Sequence, residues 1–107
     1  MIHELRVYHA VPGRLNELIE RFAQHTIAIF QRHDIRPLSF WTGQEAGHTN
    51  DLYYLLEWDD LAHQQRAMAA FRADPQWHEV RERTEAHGAL ITGTEFTLLS
   101  PITPGKT

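Results

Sequence analysis

The fold of this chain is decided by fourteen residues near its N-terminus, Ile2-His3-Glu4-Leu5-Arg6-Val7-Tyr8-His9-Ala10-Val11-Pro12-Gly13-Arg14-Leu15. Up to Tyr8 the side chains alternate in character, which is the pattern of a β-strand. Pro12 and Gly13 then indicate a tight turn, and beyond them the apolar spacing changes from two residues to about 3.6, the period of a helix. We therefore predict a strand, a turn and a helix in that order.

The two faces of the predicted strand differ in chemistry. One row is largely apolar and consists of His3, Leu5 and Val7. The other row is mostly polar and consists of Ile2, Glu4, Arg6 and Tyr8; we call it the ionic row. Because a helix packs through its apolar stripe, we expect it to cover the apolar row. The ionic row should then lie on the opposite face, in water or against a partner.

A single long helix is predicted from Arg14 to His33, because apolar residues recur there at intervals of three and four. Glu17 and Arg21 are one turn apart and suit the side of this helix that faces water. Pro37 comes shortly after the helix, and the residue before a proline disfavours helical geometry. We therefore expect the helix to stop at His33.

Two strands and a polar loop follow the long helix. The strands are Leu38–Thr42 and Leu52–Trp58, and the loop 43–51 between them is rich in turn formers. The second strand is almost continuously large, which is typical of a central strand buried on both faces. A hairpin with an inner and an outer strand is the expected result.

The second half of the chain predicts a divided helical region and a last strand. Asp59 or Asp60 can cap the first helix, and Asp74 followed by Pro75 is the signature of a second helix start. Alternation over Leu90–Leu99, with several threonines, predicts the final strand. We therefore assign residues 1–99 to one domain and residues 100–107 to a short, loose C-terminal tail.

The element order β-α-β-β-α-β predicts an α+β, ferredoxin-like fold. Right-handed crossovers place the first and third strands in the middle of a four-stranded antiparallel sheet, with the helices on one face. The uncovered face is then expected to hold, besides the ionic row, Trp41, Tyr53, Leu55, Glu57 and Glu95. Such a face is too aromatic for water, so we expect a homodimer.

Composition excludes several function classes. Ten Lys and Arg against fourteen Asp and Glu give a net charge of −4, and the basic residues are dispersed, which argues against binding to nucleic acid. The chain contains no cysteine, so neither a disulfide nor a thiolate nucleophile is available. No stretch has the apolar length of a membrane span, and a cytoplasmic location without membrane contact is expected.

Six short motifs in order resemble the NIPSNAP domain, a branch of the dimeric α/β-barrel superfamily. They are Glu4-Leu5-Arg6-x-Tyr8, Pro12-Gly13-Arg14-Leu15, Arg32-His33, Phe40-Trp41-Thr42, Tyr54-Leu55-Leu56-x-Trp58 and Asp74-Pro75-x-Trp77. The resemblance covers about residues 1–99 and implies a ferredoxin-like protomer whose sheet packs on the sheet of a second copy. It implies no reaction, and related branches include cofactor-free monooxygenases, lactone isomerases and haem proteins.

Two groups of residues are candidates for a functional site. A pocket between sheet and helices, suited to a small organic ligand, is predicted from Tyr8, His9, His25, Trp41, Tyr54 and Trp58. The alternative for these six residues is ordinary core packing. An ionic network at the dimer interface is predicted from Arg6, Glu57 and Glu95; we favour a structural role for it over a site for a substrate anion.

Eight histidines raise the question of a metal site. The chain has no pair of histidines at the spacing of a helical or strand metal motif, and no Gly-rich phosphate loop or nucleophile elbow. We therefore expect neither a metal nor another cofactor.

The sequence leaves three functions open. The first is a NIPSNAP-like homodimer that binds a small aromatic or polyketide-like molecule. The second is a dimerisation and interaction module without turnover, and the third is a cofactor-free monooxygenase or isomerase. No catalytic residue is assigned, and a cavity of a few hundred Å³ between sheet and helices would favour the first.

Overall fold

Four strands and four α-helices build the part of the chain, residues 1–104, that the computed structural model describes. In order they are β1 (Ile2–Ala10), α1 (Leu15–Arg21), a π-helical segment (Phe22–Thr26), α2 (Ile27–Arg32), β2 (Arg36–Thr42), β3 (Asp51–Trp58), α3 (Leu61–Ala73), α4 (Pro75–Thr84) and β4 (Ile91–Leu99). Residues 100–104 of the predicted tail carry no helix or strand. Residues 105–107 of that tail lie outside the described part.

The strands form one antiparallel sheet in the order β2-β3-β1-β4, so the predicted fold class and the central position of β1 and β3 are confirmed. Gly13, with a φ of 83°, supplies the left-handed turn between β1 and α1. The helices pack against one face of the sheet, and we call the other face the open face. Within residues 1–104 no helix combines the length and the apolar character that crossing a membrane requires.

The helix starts in the second half of the chain follow the predicted signals. Asp60 caps α3 by accepting from the His63 amide at 2.8 Å, and Asp74 caps α4 by accepting from the Gln76 amide at 2.8 Å. Asp74 also accepts from His33 at 2.7 Å, and this bond and the cap hold the pKa of Asp74 below its ordinary value. The Asp74 side chain thereby ties the start of α4 to the end of α2.

The predicted long helix is interrupted by a turn of π-helix at Phe22–Thr26. At its end the Ile27 amide bonds to the Phe22 carbonyl, five residues back, and Thr26 Oγ1 donates to the Arg21 carbonyl at 3.3 Å. Arg21 is 4% exposed, so the prediction that it faces water is wrong. Its position, three residues after the fully buried Leu18, places it on the buried stripe.

The predicted orientation of β1 is also wrong. Register pairs Glu4 with Leu56 and Arg6 with Tyr54, two residues whose side chains are fully buried beneath the helices. Glu4 and Arg6 themselves are 2% and 5% exposed. The ionic row therefore faces the helices, and the apolar row of Leu5 and Val7 lies on the open face.

The other predicted members of the open face are placed correctly by the register. Leu55 pairs with Leu5, and Tyr53 pairs with Val7 on one side and with Trp41 on the other. The hydrophobic core lies between the sheet and the helices, and its largest fully buried members are Trp58, Tyr54, Phe30, Leu18, Ile29, Ile35, Leu56 and Leu90.

Candidate functional site

Charge on the helix-covered face is held in a network centred on Arg6. Its Nε donates to the Tyr54 hydroxyl at 2.7 Å, its Nη1 to Glu4 at 2.8 Å and its Nη2 to the Tyr8 hydroxyl at 3.0 Å. Trp58 Nε1 donates to the other oxygen of Glu4 at 3.0 Å. These five residues form what we call the buried polar network, and the pairing offsets the cost of burying two charges.

The Arg6 guanidinium is a fixed cation. Burial alone opposes its charge, but Tyr54, Tyr8 and Glu4 together outweigh burial, so the pKa of Arg6 lies above its ordinary value. The ring of Phe96 covers the guanidinium, with its centroid 3.8 Å from Cζ. Arg6 therefore orients its hydrogen-bond partners and does not exchange protons.

Tyr8 lies at the end of the buried polar network and has an oriented hydroxyl. Its oxygen accepts from Arg6 at 3.0 Å and from the Tyr54 hydroxyl at 2.8 Å. Burial raises the pKa of Tyr54 well above its ordinary value, so Tyr54 keeps the proton that it donates. A hydroxyl oxygen has two lone pairs, and with both engaged the Tyr8 proton points away from its two neighbours.

Tyr8 lines a cavity of about 370 Å³ between the sheet and the helices. The large apolar side chains of its wall are Phe22, Phe30, Met68, Phe71, Trp77 and Ile91. Seven lining residues have polar side chains: Tyr8, Arg21, Thr26, Arg81, Glu85, Thr92 and Thr94. Aromatic and aliphatic side chains combined with oriented polar groups are the usual make-up of a small-molecule site.

Arg21 brings a buried cation to this cavity. Its side chain is 3% exposed, and its Nη1 donates to Glu85 at 3.1 Å and to Thr84 at 3.3 Å. Its guanidinium lies 5.2 Å from the centre of the Trp77 ring. Burial lowers the pKa of Arg21, and the contact with Glu85 offsets part of this. Its Nε is buried and has no hydrogen-bond partner.

The structure does not bring the six predicted pocket residues together. Tyr8 lines the cavity, and Tyr54 lies one hydrogen bond behind it. Trp58 is buried in the core against Glu4, away from the cavity wall. His25 borders a separate groove beside Arg83, 3.5 Å from that guanidinium.

The two remaining candidates, His9 and Trp41, lie on the open face. His9 Nδ1 is 2.7 Å from Asp51 and its Nε2 is 2.6 Å from Glu95, so the imidazole is held between two carboxylates. Hydrogen bonding to Asp51, and then to Glu95, raises the pKa of His9. His48 contacts the second oxygen of Asp51 at 3.3 Å. We call His9, His48, Asp51 and Glu95 the histidine–carboxylate cluster.

The predicted network of Arg6 with Glu57 and Glu95 is wrong. Arg6 lies on the helix-covered face, whereas Glu57 and Glu95 lie on the open face. Glu57 contacts Arg36 at 3.4 Å, and Glu95 contacts His9. Glu4, two residues from Arg6 on the same strand, is the carboxylate that pairs with it.

Among residues 1–104, one group of side chains has the composition of a metal site. Oxygens of Asp34 and Asp59 and a nitrogen of His63 lie within 4.8 Å of one another. The Arg36 guanidinium already supplies a positive charge there, 2.7 Å from Asp59 and 3.7 Å from Asp34. Both ring nitrogens of His63 are engaged with backbone groups, the Asp59 amide at 3.0 Å and the Asp34 carbonyl at 2.8 Å. These contacts favour an ion-pair cluster over a metal centre.

Sequence comparison identifies the family. The NIPSNAP family model matches residues 3–104 of the chain. The chain belongs to the NIPSNAP family. Mouse protein NipSnap homolog 3B is 27% identical to this NIPSNAP chain over 77 residues, which are 72% of the chain and 30% of the relative. Human protein NipSnap homolog 3A is 23% identical over 79 residues, covering 74% of the chain and 31% of the relative. The chain thus spans about a third of the length of these curated relatives.

Solved structures support the same fold. An uncharacterised NIPSNAP domain protein from Burkholderia xenovorans superposes with a TM-score of 0.81 at 23% identity, with both chains fully covered. SnoaB, a cofactor-independent oxygenase from Streptomyces nogalater, superposes with a TM-score of 0.62 at 20% identity, covering 99% of this chain and 97% of its own. At such identities the likeness concerns the fold and says nothing about the reaction.

Proposed function

We propose that this NIPSNAP-family chain binds a small organic molecule, aromatic or polyketide-like, in the cavity between the sheet and the helices. The observation that carries the proposal is the cavity itself, whose volume of about 370 Å³ falls within the range of known ligand sites. Its aromatic wall suits a flat apolar body. The Tyr8 hydroxyl, with both acceptor positions occupied, offers one directed hydrogen bond to an oxygen of the ligand.

The same features argue against a pure interaction module. A domain that serves only to pair with other proteins gains stability from a filled interior, since protein cores are packed close to the density of organic crystals. Here the buried polar network instead ends on a hydroxyl that borders open space. Burying the charged groups of this network costs desolvation free energy. Orientation of the Tyr8 hydroxyl toward a ligand is a functional role that would explain why the network is present.

A homodimer formed through the open face is part of the proposal. On that face Trp41 is 51% exposed and Leu99 is 42% exposed, beside Leu5, Val7 and Leu55 on neighbouring strands. Contiguous apolar surface on a sheet is typical of an interface. A second copy would cover it sheet to sheet, so that β3 becomes buried on both faces, as its sequence indicates.

Filling the cavity tests the ligand proposal. Thr94 lines the cavity and lies opposite Tyr8 in the pairing of β4 with β1, so Thr94→Trp would place an indole in the cavity. Leu98 lies on the same strand and the same face, opposite Glu4, but does not line the cavity, which makes Leu98→Trp the matched control. Backbone amide NMR spectra would be recorded with a panel of planar aromatic compounds.

We expect at least one aromatic compound to shift the resonances of cavity residues such as Trp77 and Thr94 in the native protein and in Leu98→Trp. The same compound should leave the spectrum of Thr94→Trp unchanged. Shifts confined to the open face, or equal shifts in both variants, would contradict the proposal.

A further inference from the structure

Arg21 is incompletely satisfied by the protein. Its side chain is 3% exposed, yet its Nε has no hydrogen-bond partner, and no hydrogen bond among residues 1–104 uses its Nη2. A buried donor left unpaired costs about 1–3 kcal/mol, so native proteins rarely retain one without a reason. Nε itself has no accessible surface, whereas Nη2 is not among the buried unpaired atoms. Because Arg21 borders the cavity, Nη2 is the donor available to an acceptor that arrives from outside the chain.

The charges around the cavity are unbalanced. Among the described residues that line it, Arg21 and Arg81 are the cations and Glu85 is the only carboxylate. Both guanidinium groups contact the same oxygen of Glu85, each at 3.1 Å. One positive charge therefore remains in excess beside a mostly apolar wall. A site of this kind favours a ligand with one negative charge, because charge-assisted hydrogen bonds are the stronger ones.

The aromatic side chains of the cavity wall indicate the shape of the uncharged part of the ligand. The rings of Phe71 and Trp77 lie 4.8 Å apart at an angle of 32°, and the Arg21 guanidinium lies above Trp77. Phe22 also lines the cavity, and its ring lies 5.8 Å from the ring of Tyr8. Aromatic rings of this orientation accept a flat ring by offset or edge contact.

We infer that the ligand of this cavity is a planar aromatic acid, whose anionic group pairs with Arg21 and whose further oxygen accepts the hydrogen bond of Tyr8. This inference rests on the proposed function and specifies its ligand class. Carboxylates, and enols or phenols acidic enough to ionise, share the required chemistry. Arg21 binds the charge, and Tyr8 fixes the orientation of the ring.

Matched pairs of acid and amide test the inference on the unmodified protein. A methoxynaphthoate and the corresponding methoxynaphthamide have the same ring system, the same further oxygen and nearly the same shape, but only the acid carries a charge. We expect the acid to bind about 10- to 100-fold more tightly than the amide, the range expected for a hydrogen bond to a charged group. The measurement is a titration followed by the amide resonances of cavity residues.

Arg21→Met should remove the preference for the acid while leaving amide binding in place. The variant is expected to fold, because Glu85 keeps its contact with Arg81 Nε at 3.1 Å. Arg83→Met is the matched control: Arg83 lies on α4, its side chain is 57% exposed and it does not line the cavity, so its replacement removes the same charge and only surface contacts with Glu79 and His25. The control should retain the full preference for the acid.

The outcomes separate the two proposals. Equal affinity for acid and amide at the cavity would overturn the inference and leave the proposed function standing. Failure of every acid and amide to shift cavity resonances would overturn both. Should Arg21→Met not fold, the comparison of acid and amide in the unmodified protein still decides the inference.

Discussion

The two faces of the sheet differ in how deeply their charged side chains are buried and in how these are paired. On the helix-covered face, Glu4 and Arg6 are 2% and 5% exposed and are bonded to Tyr54, Tyr8 and Trp58. On the open face, aliphatic residues lie beside ionic groups of mixed exposure: in the histidine–carboxylate cluster the side chain of Glu95 is 65% exposed, that of His9 37% and that of Asp51 7%. The hydropathy of a strand row therefore does not decide which side is buried; the availability of hydrogen-bond partners on neighbouring strands does.

The largest expected effect comes from breaking the buried network at its centre. Arg6→Met keeps the bulk of the side chain but leaves Glu4 charged and buried without its cation. Removal of one partner from a buried ion pair costs about 3–5 kcal/mol, and we expect a loss of that order in the free energy of unfolding. Urea denaturation followed by fluorescence would measure it.

A double-mutant cycle distinguishes the two faces. Glu4→Gln combined with Arg6→Met should show a coupling energy of about 0.5–3 kcal/mol, since the two residues are in contact. Glu57→Gln, on the open face, should add to Arg6→Met within about 0.3–0.5 kcal/mol. Coupling of Arg6 to Glu57 instead of Glu4 would contradict the orientation of β1.

A substitution on the open face should instead dissociate the proposed homodimer. Leu55→Asp places a charge in the middle of that face, where the proposed homodimer would bury it. We expect light scattering at micromolar concentration to give a dimer for the native chain and a monomer for the variant.

Leu61→Asp is the control for the loss of the dimer. Leu61 lies at the start of α3 on the helix side and is 48% exposed, so its replacement adds the same charge away from the open face. This variant should remain dimeric. A native chain with a monomer mass would remove the dimer from the proposal without affecting the cavity.

Removing the hydroxyl of a tyrosine on each face gives a matched pair of variants, with a smaller expected loss of stability. Tyr8→Phe removes the acceptor shared by Arg6 and Tyr54, and unpaired buried donors cost about 1–3 kcal/mol. Tyr53→Phe removes a hydroxyl whose contact is a weak one of 3.4 Å to His48 at an exposed position. We expect the first variant to be clearly destabilised in thermal unfolding and the second to match the native chain. Equal losses of stability in the two variants would mean that the Tyr8 hydroxyl is no more important to folding than the exposed Tyr53 hydroxyl.

Sequence signals predicted the elements because their causes are local. Asp74 and Pro75 start α4 whatever surrounds them, and the two-residue period of any strand fixes which side chains of β3 point together. The order of strands follows from the handedness of crossovers, which is equally general. These parts of the prediction needed no knowledge of long-range contacts.

The site depends on contacts that no local pattern contains. Tyr8 has an oriented hydroxyl because Tyr54, 46 residues away, donates to it, and Glu4 is tolerated in the interior because Trp58 is 54 residues away. Arg21 is a different case. Its spacing of three from Leu18 placed it on the buried stripe, and a charged residue at such a position was the available sign of a functional role.

The smallest effect is expected from the histidine–carboxylate cluster. The pKa of His9 is raised by Asp51 and Glu95, so in the folded chain the ring keeps its proton to higher pH than in the unfolded chain. A raised pKa gives stability that is complete below the unfolded value of about 6.5 and is lost as pH rises through the folded value. The His9 side chain is 37% exposed, and exposed ion pairs contribute about 0.2–1 kcal/mol, so the contribution is small.

His9→Gln should therefore destabilise the protein at pH of about 6 and converge with the native chain as pH rises through the folded pKa of His9. Arg6 itself stays charged over the same pH range, because its pKa is raised above its ordinary value. A difference that grows with pH for His9→Gln would mean that the ring is neutral between its carboxylates. If a second copy covers the open face, the same difference should increase with protein concentration, because burial of the cluster removes the solvent screening that keeps it small.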